Sequence, residues 1–585
     1  MKEPNPTIAR AKALVEPIAF ALFIICYAGI YRRDFFARVQ ELSPLLPDAL
    51  SPRELLEWPG MATRLAGSFL TRLFYYPLAG AVLLAALLSG ARWLTASLCR
   101  LPAAARFLSY LPALLLFLSI TRLDHVLFVP AGENFLLGPS LGVFLALLIA
   151  AGARWTRWRR PFVACAVIVG YPLLGFYALF AVLLVGGRRR DVAWAVAWVI
   201  AYPLLYFASC YNLSLFNAYT AGLLLPENHG AAWWNWLPLA GALVTIAALA
   251  ASKARDKDGK RYRCANAAGL LLSCAGVFFL SNRDASFQAL LSMQYHAARD
   301  RWDVVLERAS AVKAPDRLVI LYRNTALLKL QRLCDEMFTF PREGAAMPPY
   351  PRMVYIAGCD LFFYHGHLNH AYRWATEHFV QHGISVDALR VMTRVALLNG
   401  ESSLALKHAR ALERIPFHAR EAREYRRHAE RPATLLDASF LPRGLSSRDN
   451  KLGEKTALVE PFLLEYYRDT PPDTRETLEL SIAATLTLKA IDRFQALFPL
   501  YEQNGIAAPL HAREAALLFA RLEQGDEDAI PGVDPATRRR FERFLVALVD
   551  ARARPPVELS LKALEKPFGN TYWYYYFVVK NLKTN

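Results

Sequence analysis

Seven nearly uncharged apolar runs, each about 14 to 20 residues and so close to the length that crosses roughly 30 Å of hydrocarbon, recur through the first half of the chain and stop near Leu280. They are Ala13 to Ile30, Leu73 to Ser89, Phe107 to Ile120, Asn134 to Ala151, Val192 to Ser209, Trp233 to Ala251 and Cys264 to Leu280. A soluble domain must cover its core with polar groups and cannot absorb such a series. The positive mean hydropathy of +0.20, sustained over 585 residues, therefore places residues 1–282 in lipid as a polytopic helical domain. An eighth stretch, Pro161 to Val185, is split by Gly170-Tyr171-Pro172, where glycine and a proline without its N–H weaken a helix. It reads as a re-entrant or short helical hairpin.

Lys and Arg outnumber Asp and Glu by 68 to 50, and the distribution of that surplus decides its meaning. Cytoplasmic connections collect Lys and Arg. With seven spans and the hairpin, the inner connections hold 19 basic residues and the outer ones seven, six of which lie in the long outer loop 31–72 beside five acids. The rival count, eight full spans, would strand Arg188, Arg189 and Arg190 outside. The asymmetry predicts a bacterial inner-membrane protein with a cytoplasmic N-terminus and a periplasmic second half, and no nucleic-acid partner. Trp93, Trp155, Trp158, Trp233 and Trp234 stand near span ends as interfacial anchors, and the first span lacks a small-x-small cleavage site.

Residues 283–585 have ordinary charge density and a helical period, so the fold class is all-α throughout. Gly366, Ala371 and Ala375 map onto Gly400, Ala405 and Ala409 at a spacing of 34, and Tyr295 to Ala309 lies about two periods upstream. The pattern resembles the tetratricopeptide repeat and implies an α-solenoid whose concave face holds a protein or peptide. Further helix pairs are expected over Asp473 to Asn504 and Leu510 to Gln524. The tail Thr571 to Phe577 is too aromatic to stay in water and is expected to dock on the repeats or the bilayer surface.

Chemistry is sought in two outer connections. Arg32, Arg33 and Asp34 follow the first span, and Arg122 and Asp124 follow the third. Asp34 or Asp124 could act as general base on a hydroxyl or hold a divalent cation, the one cofactor such acids suggest, while Arg32, Arg33 and Arg122 could hold a lipid phosphate. The plain reading is that both acids solvate span ends and pair with adjacent arginines. This layout resembles the GT-C class of membrane glycosyltransferases, and joining it to repeats resembles the transmembrane-and-tetratricopeptide O-mannosyltransferases. The resemblance implies a polyprenyl-phosphate-linked sugar donor and carries over Asp34 and Asp124. The paired first-loop acids of that class are absent, and Trp233-Trp234-Asn235-Trp236 lacks the Asp and Gly of the oligosaccharyltransferase signature. Trp58-Pro59-Gly60-Met61, Phe69 to Gly80 and the aromatic tail also resemble an uncharacterised family of multi-span bacterial proteins. The alternative function is a non-catalytic membrane scaffold whose repeats assemble envelope or secretion machinery. His365, His367 and His370 fall at a repeat turn without a fourth ligand, so no metal site is assigned there.

Overall fold

The computed structural model describes residues 6–42, 59–99, 101, 103–128, 137–186, 189–209, 213–223, 236–251, 262–340, 344, 351–441, 445, 457–523, 530 and 532–579. Lys2, Leu55, Leu56, Trp58, Arg100, Arg188, Trp233, Trp234, Asn235 and the basic run 252–261 lie outside them. The described residues are helical and contain no β-strand. They form two units, one of Met1–Arg283 with His378–Arg390 and Leu406–Arg426, the other of Asp284–Glu377, Val391–Ala405 and Arg427–Asn585.

In the first unit, α1 (Pro6–Cys26) continues as a π-helix over Tyr27–Tyr31, followed by α2 (Arg33–Leu42), α3 (Met61–Thr71), α4 (Pro77–Leu98), α5 (Leu111–Thr121) and α6 (Gly138–Trp155). The broken segment is α7 (Arg159–Ile168), α8 (Gly170–Leu174) and α9 (Phe176–Leu183). After it come α10 (Arg189–Ser209), α11 (Leu215–Thr220), α12 (Leu237–Ala251) and α13 (Arg263–Leu280). Among the described residues four helices are long and apolar enough to cross a membrane, Leu14–Tyr31, Pro77–Leu98, Gly138–Trp155 and Arg189–Ser209, and Cys264–Leu280 taken with Ala285–Ala297 makes a fifth candidate.

Seven apolar runs thus do not become seven full-length helices. The run Phe107 to Ile120 yields an α-helix of only 11 residues, because Ala105 is non-helical, a 3-10 turn covers Ala103–Ser109 and Pro112 sits in the first helical turn. At 1.5 Å per residue it is about 17 Å long, short of the hydrocarbon thickness. Nor is 31–72 a plain loop. Every residue of α2 from Phe35 to Leu42 is buried.

In the second unit, α14 (Ala285–Ala297), α15 (Trp302–Ser310), α16 (Arg317–Lys329), α17 (Leu333–Glu336) and α18 (Cys359–Tyr364) come first. The helices α19 (Leu368–His382), α20 (Val386–Leu398), α21 (Ser402–Glu413) and α22 (Ala419–Glu430) carry residues of both units. They are followed by α23 (Val459–Asp469), α24 (Arg475–Leu488), α25 (Ile491–Leu497), α26 (Leu500–Gln503), α27 (Leu510–Leu522), α28 (Pro535–Ala553), α29 (Val557–Ala563), α30 (Glu565–Phe568) and α31 (Tyr572–Val578).

One turn recurs here. Asp300, Gln331, Gly366, Gly400, Lys489 and Gly505 all take positive φ, between 55° and 80°. Each time, the next N–H reaches back to the carbonyl five residues before it: Arg301 to His296 at 3.1 Å, Arg332 to Leu327 at 2.8 Å, His367 to Phe362 at 2.9 Å, Glu401 to Ala396 at 2.8 Å, Ala490 to Thr485 at 2.9 Å and Ile506 to Tyr501 at 2.8 Å. This bond closes a helix C-terminus around a left-handed residue, so that the chain reverses into the following segment. Ala309, Ala371, Ala375, Ala405 and Ala409 are fully buried shortly after three of these turns, where a side chain larger than methyl would keep neighbouring helices apart.

The aromatic tail forms α31, capped by the Thr571 hydroxyl accepting from Tyr574 N. Its Tyr572 N–H donates to Glu514 Oε2 at 2.8 Å, its Trp573 indole to Glu514 O at 2.7 Å and its Tyr575 hydroxyl to Thr487 O at 2.7 Å. Tyr572 and Trp573 have no exposed surface. The tail is therefore part of the helical core.

Candidate functional site

The π-helix that ends α1 turns the chain out at Arg32, whose φ and ψ of −114° and 28° leave the helix. Its guanidinium lies 4.8 Å from the Tyr31 ring centroid and donates through Nη2 to the carbonyl of Asn282. Asn282 in turn donates its N–H to Thr121 O at 3.0 Å and its Nδ2 to Leu123 O at 3.0 Å. A single residue just beyond α13 therefore binds both the exit of the first span and the turn after α5. Arg283 extends the group by stacking 5.3 Å from Phe278 and 5.5 Å from Phe279.

Asp34 occupies the first turn of α2, where the helix dipole favours a negative charge. Arg33 Nε lies 3.4 Å from its Oδ1, with Arg33 largely in solvent and Asp34 mostly covered. Asp124 accepts Val126 N–H on Oδ1 at 2.9 Å, while its carbonyl accepts Leu127 N–H at 2.9 Å, which starts the 3-10 turn His125–Phe128. Arg122 is half-buried. The structure thus joins Arg33 to Asp34, and Arg32 through Asn282 to the turn holding Asp124, but no hydrogen bond or ion pair joins Asp34 to Asp124. Among the described residues no group of three or more His, Cys, Asp and Glu is placed to hold a metal ion.

A second constellation carries no clear signal in the sequence. Arg38, Gln40 and Glu41 of α2 meet Asp387 and Arg390 of α20 and the His418–Glu421 turn, all within the first unit. Arg38 Nη1 is 3.2 Å from Glu41 Oε2 and pairs with Asp387 Oδ2. Arg390 reaches Asp387 Oδ1 at 2.7 Å, Glu421 Oε1 at 2.6 Å and Glu41 Oε1 at 3.7 Å. Tyr425 donates to Glu421 at 2.7 Å, and Gln40 Nε2 lies 3.3 Å from His418 Nε2. Arg38, Glu41 and Arg390 are at most 3% exposed. Burial opposes the charge on Arg390, but Glu421, Glu41 and Asp387 together raise its pKa well above the ordinary guanidinium value. Two arginines face three carboxylates, and Tyr75 covers the edge, stacked 4.9 Å from Phe417 and edge-on to His418. The local signal is limited to close pairs such as Arg38/Glu41, Asp387/Arg390 and His418/Glu421, and helical surfaces carry such pairs commonly.

The broken segment α7–α9 meets two other turns at a third point. Gly60, Gly175 and Gly222 all have positive φ, of 84°, 58° and 85°. A Cβ on Gly175 would stand 2.1 Å from Ala221 O, and one on Gly60 2.8 Å from the Gly222 Cα. The close approach lets the interrupted backbone find partners: Gly60 N donates to Pro172 O at 3.0 Å, Phe176 N to Ala221 O at 2.7 Å and Thr63 Oγ1 to Leu173 O at 3.3 Å. Helix breaks inside an apolar domain require such internal satisfaction.

In the second unit, His365, His367 and His370 pack with Phe462, Tyr466 and Tyr467, the His367 ring 4.4 Å from Tyr466. Burial lowers His365 to about 4 and His367 to about 3, so these imidazoles are neutral core groups. His365 Nδ1 donates to Leu361 O at 2.8 Å, and the Tyr467 hydroxyl donates to His365 O at 2.5 Å. A cavity of about 70 Å³ beside them is bounded by Leu321, Leu463, Leu480 and the Arg317–Glu460 ion pair.

No curated protein and no solved structure matches the chain. A family model covers residues 10–579, nearly the whole length. The chain accordingly belongs to the family of unknown function DUF6057.

Proposed function

We propose that this is an integral inner-membrane protein with a cytoplasmic N-terminus, crossing the bilayer through seven apolar segments and a broken hairpin, whose outer end carries a GT-C-like site for transfer of a sugar from a polyprenyl-phosphate carrier. The observation that supports this reading is the shared anchor Asn282, which gathers Arg32 and the Thr121–Leu123 turn at one end of the first unit. Asp34 would take the proton from an acceptor hydroxyl as its oxygen bonds to the anomeric carbon. The bond from that carbon to the carrier phosphate then breaks, and Arg32, Arg33 and Arg122 hold the departing phosphate charge. Arg33, paired to Asp34 at 3.4 Å, would shift to the phosphate when the donor binds. Asp124, fixed by Val126, would keep the second turn in shape and face the acceptor. The helical hairpins of the second unit, read as tetratricopeptide-like repeats, would present a protein or peptide acceptor.

The test is turnover of a polyprenyl-phosphate sugar by the full chain in lipid nanodiscs. Asp34→Asn is expected to lower kcat by more than about 100-fold, and Arg33→Gln to raise KM for the donor. A second reading, a non-catalytic scaffold, is favoured by the six repeated helix turns. It replaces the first if Asp34→Asn and Asp124→Asn are stable and fully functional in cells while deletion of residues 284–585 abolishes function.

A further inference from the structure

Helix α28 buries Phe541, Phe544, Leu548 and Ala551, with Phe541 4.8 Å and Phe544 6.2 Å from the Trp573 ring and Phe544 5.3 Å from Phe568. That stripe accounts for its inner face. The opposite stripe carries Val546 and Val549, which are 65% and 67% exposed, and the next helix, α29, has no buried residue and adds Leu559 at 67% and Val557 at 40%. Val546, Val549 and Leu559 keep about two thirds of their surface in solvent, and all four aliphatics lie on two consecutive helices that pack on each other.

Charge indicates what covers them. Between Pro535 and Pro567 the chain has eight Lys or Arg against four Asp or Glu. Arg543, Arg554 and Lys562, all exposed, flank the aliphatic residues along the sequence, with Asp550 and Glu558 as the acids among them. Protein interfaces favour aromatic anchors, and the aromatic residues between Pro535 and Pro567, Phe541 and Phe544, are both buried. Short aliphatics with long basic side chains beside them are the composition of an interfacial helix, which sinks its apolar residues among acyl chains while Arg and Lys reach the phosphates. A chain with four helices of bilayer-crossing length also holds this segment at high effective concentration near lipid. We infer that α28 and α29 form a surface patch that lies on an anionic bilayer, bringing the second unit into contact with phospholipid headgroups. This inference is independent of chemistry at Asp34.

Hydrogen exchange of the full chain in nanodiscs containing phosphatidylglycerol, in nanodiscs of phosphatidylcholine alone, and in non-ionic detergent tests it. The amides from Val546 to Ala563 are expected to exchange at least about tenfold more slowly in the anionic discs than in the other two media. That gain should vanish in V546E/L559E and shrink in R543Q/R554Q/K562Q, while amides of α31 stay equally protected in every variant, reporting an intact fold. Equal exchange in all three media overturns the inference. So does protection that persists in detergent, which assigns the patch to a second copy or another protein, and so does equal protection in both kinds of disc, which removes the role of charge.

Discussion

The two units end their helices by different means. In the first, α4, α5 and α6 begin with proline in the first turn, at Pro77, Pro112 and Pro139, and a side-chain cap from Ser214 opens α11. In the second, Asp284, Asp316, Thr474, Asp534 and Thr571 accept the first free N–H groups, and left-handed Asp300, Gln331 and Lys489 close the far ends of three of these helices. Where a helix is apolar along its length, composition decides what is helical, whereas the ends of polar helices have to be satisfied locally. Buried charge is likewise handled differently. The first unit gathers three carboxylates around Arg38 and Arg390, while the second adds neutral buried imidazoles at His365 and His367 to its Arg317–Glu460 pair.

That difference is broken most sharply at Arg390. Arg390→Ala leaves the buried Glu41 and Asp387, with the half-buried Glu421 beside them, sharing one arginine, which costs about 3–5 kcal/mol. Thermal unfolding in detergent should show the loss, with α2 amides exchanging freely. If Arg390→Ala melts with the wild type, the cluster is solvated and the contrast fails. For the second unit the corresponding lever is pH. The unfolded chain protonates His365 and His367 near pH 6.5, while the folded imidazoles stay neutral to about 4 and about 3. Stability present above pH 6.5 therefore drains as pH falls towards 4, by roughly 3 kcal/mol for His365 alone. Trp573 fluorescence followed through thermal melts at pH 7.5 and 5 measures it, and His365→Gln should flatten the slope. An unchanged melting temperature across that range would show that the imidazoles are not buried neutral.

The same physics decides how much of this was legible. Apolar runs marked where the apolar helices lie but not how long they are, since Phe107 and Leu108 are as apolar as the helix after them and yet belong to a 3-10 turn. The 34-residue spacing of Gly366 and Gly400 revealed two of six equivalent turns. Asp300, Gln331 and Lys489 adopt the same left-handed geometry without glycine, so a search for glycine passes over them. Asp34 and Asp124 could be singled out from their positions after spans. Asn282, which ties their neighbourhoods together, carries no signal of its own, and the Arg38–Asp387 pair joins residues far apart in the chain, a pairing no local pattern encodes. Pro161 to Val185 was expected to break at Gly170-Tyr171-Pro172. The helix is interrupted at Val169, just before that tripeptide, which is itself helical in α8, and the chain leaves the helix at Gly175, where φ is 58°. Gly175→Ala is expected to cost about 2–3 kcal/mol, because it adds both left-handed strain and a contact with Ala221 O. A nanodisc melt reads it, and a neutral result would mean the junction can open.

The smallest effect sharpens the comparison from the side of the caps. Thr474 accepts Thr477 N–H at 3.2 Å while Thr477 Oγ1 accepts Thr474 N–H at 2.9 Å, a reciprocal box at the start of α24. Thr474→Ala removes one of the two bonds and should cost about 1 kcal/mol, with Thr474→Ser restoring most of it. The loss should be local: amides of the first turn of α24 exchange about fivefold faster, since 1 kcal/mol is close to that factor, while Leu486 and its neighbours, held at the far end by the Lys489 turn, do not change. At α4 the N-cap position is Tyr76, which makes no cap bond, and the helix depends on Pro77 and on burial of Ala81, Leu84 and Leu88. If Thr474→Ala leaves the first turn of α24 as protected as before, then packing alone holds helices in both units and the capping signals of the second are incidental. If protection falls only in that turn, the ends of these helices are set by local hydrogen bonding.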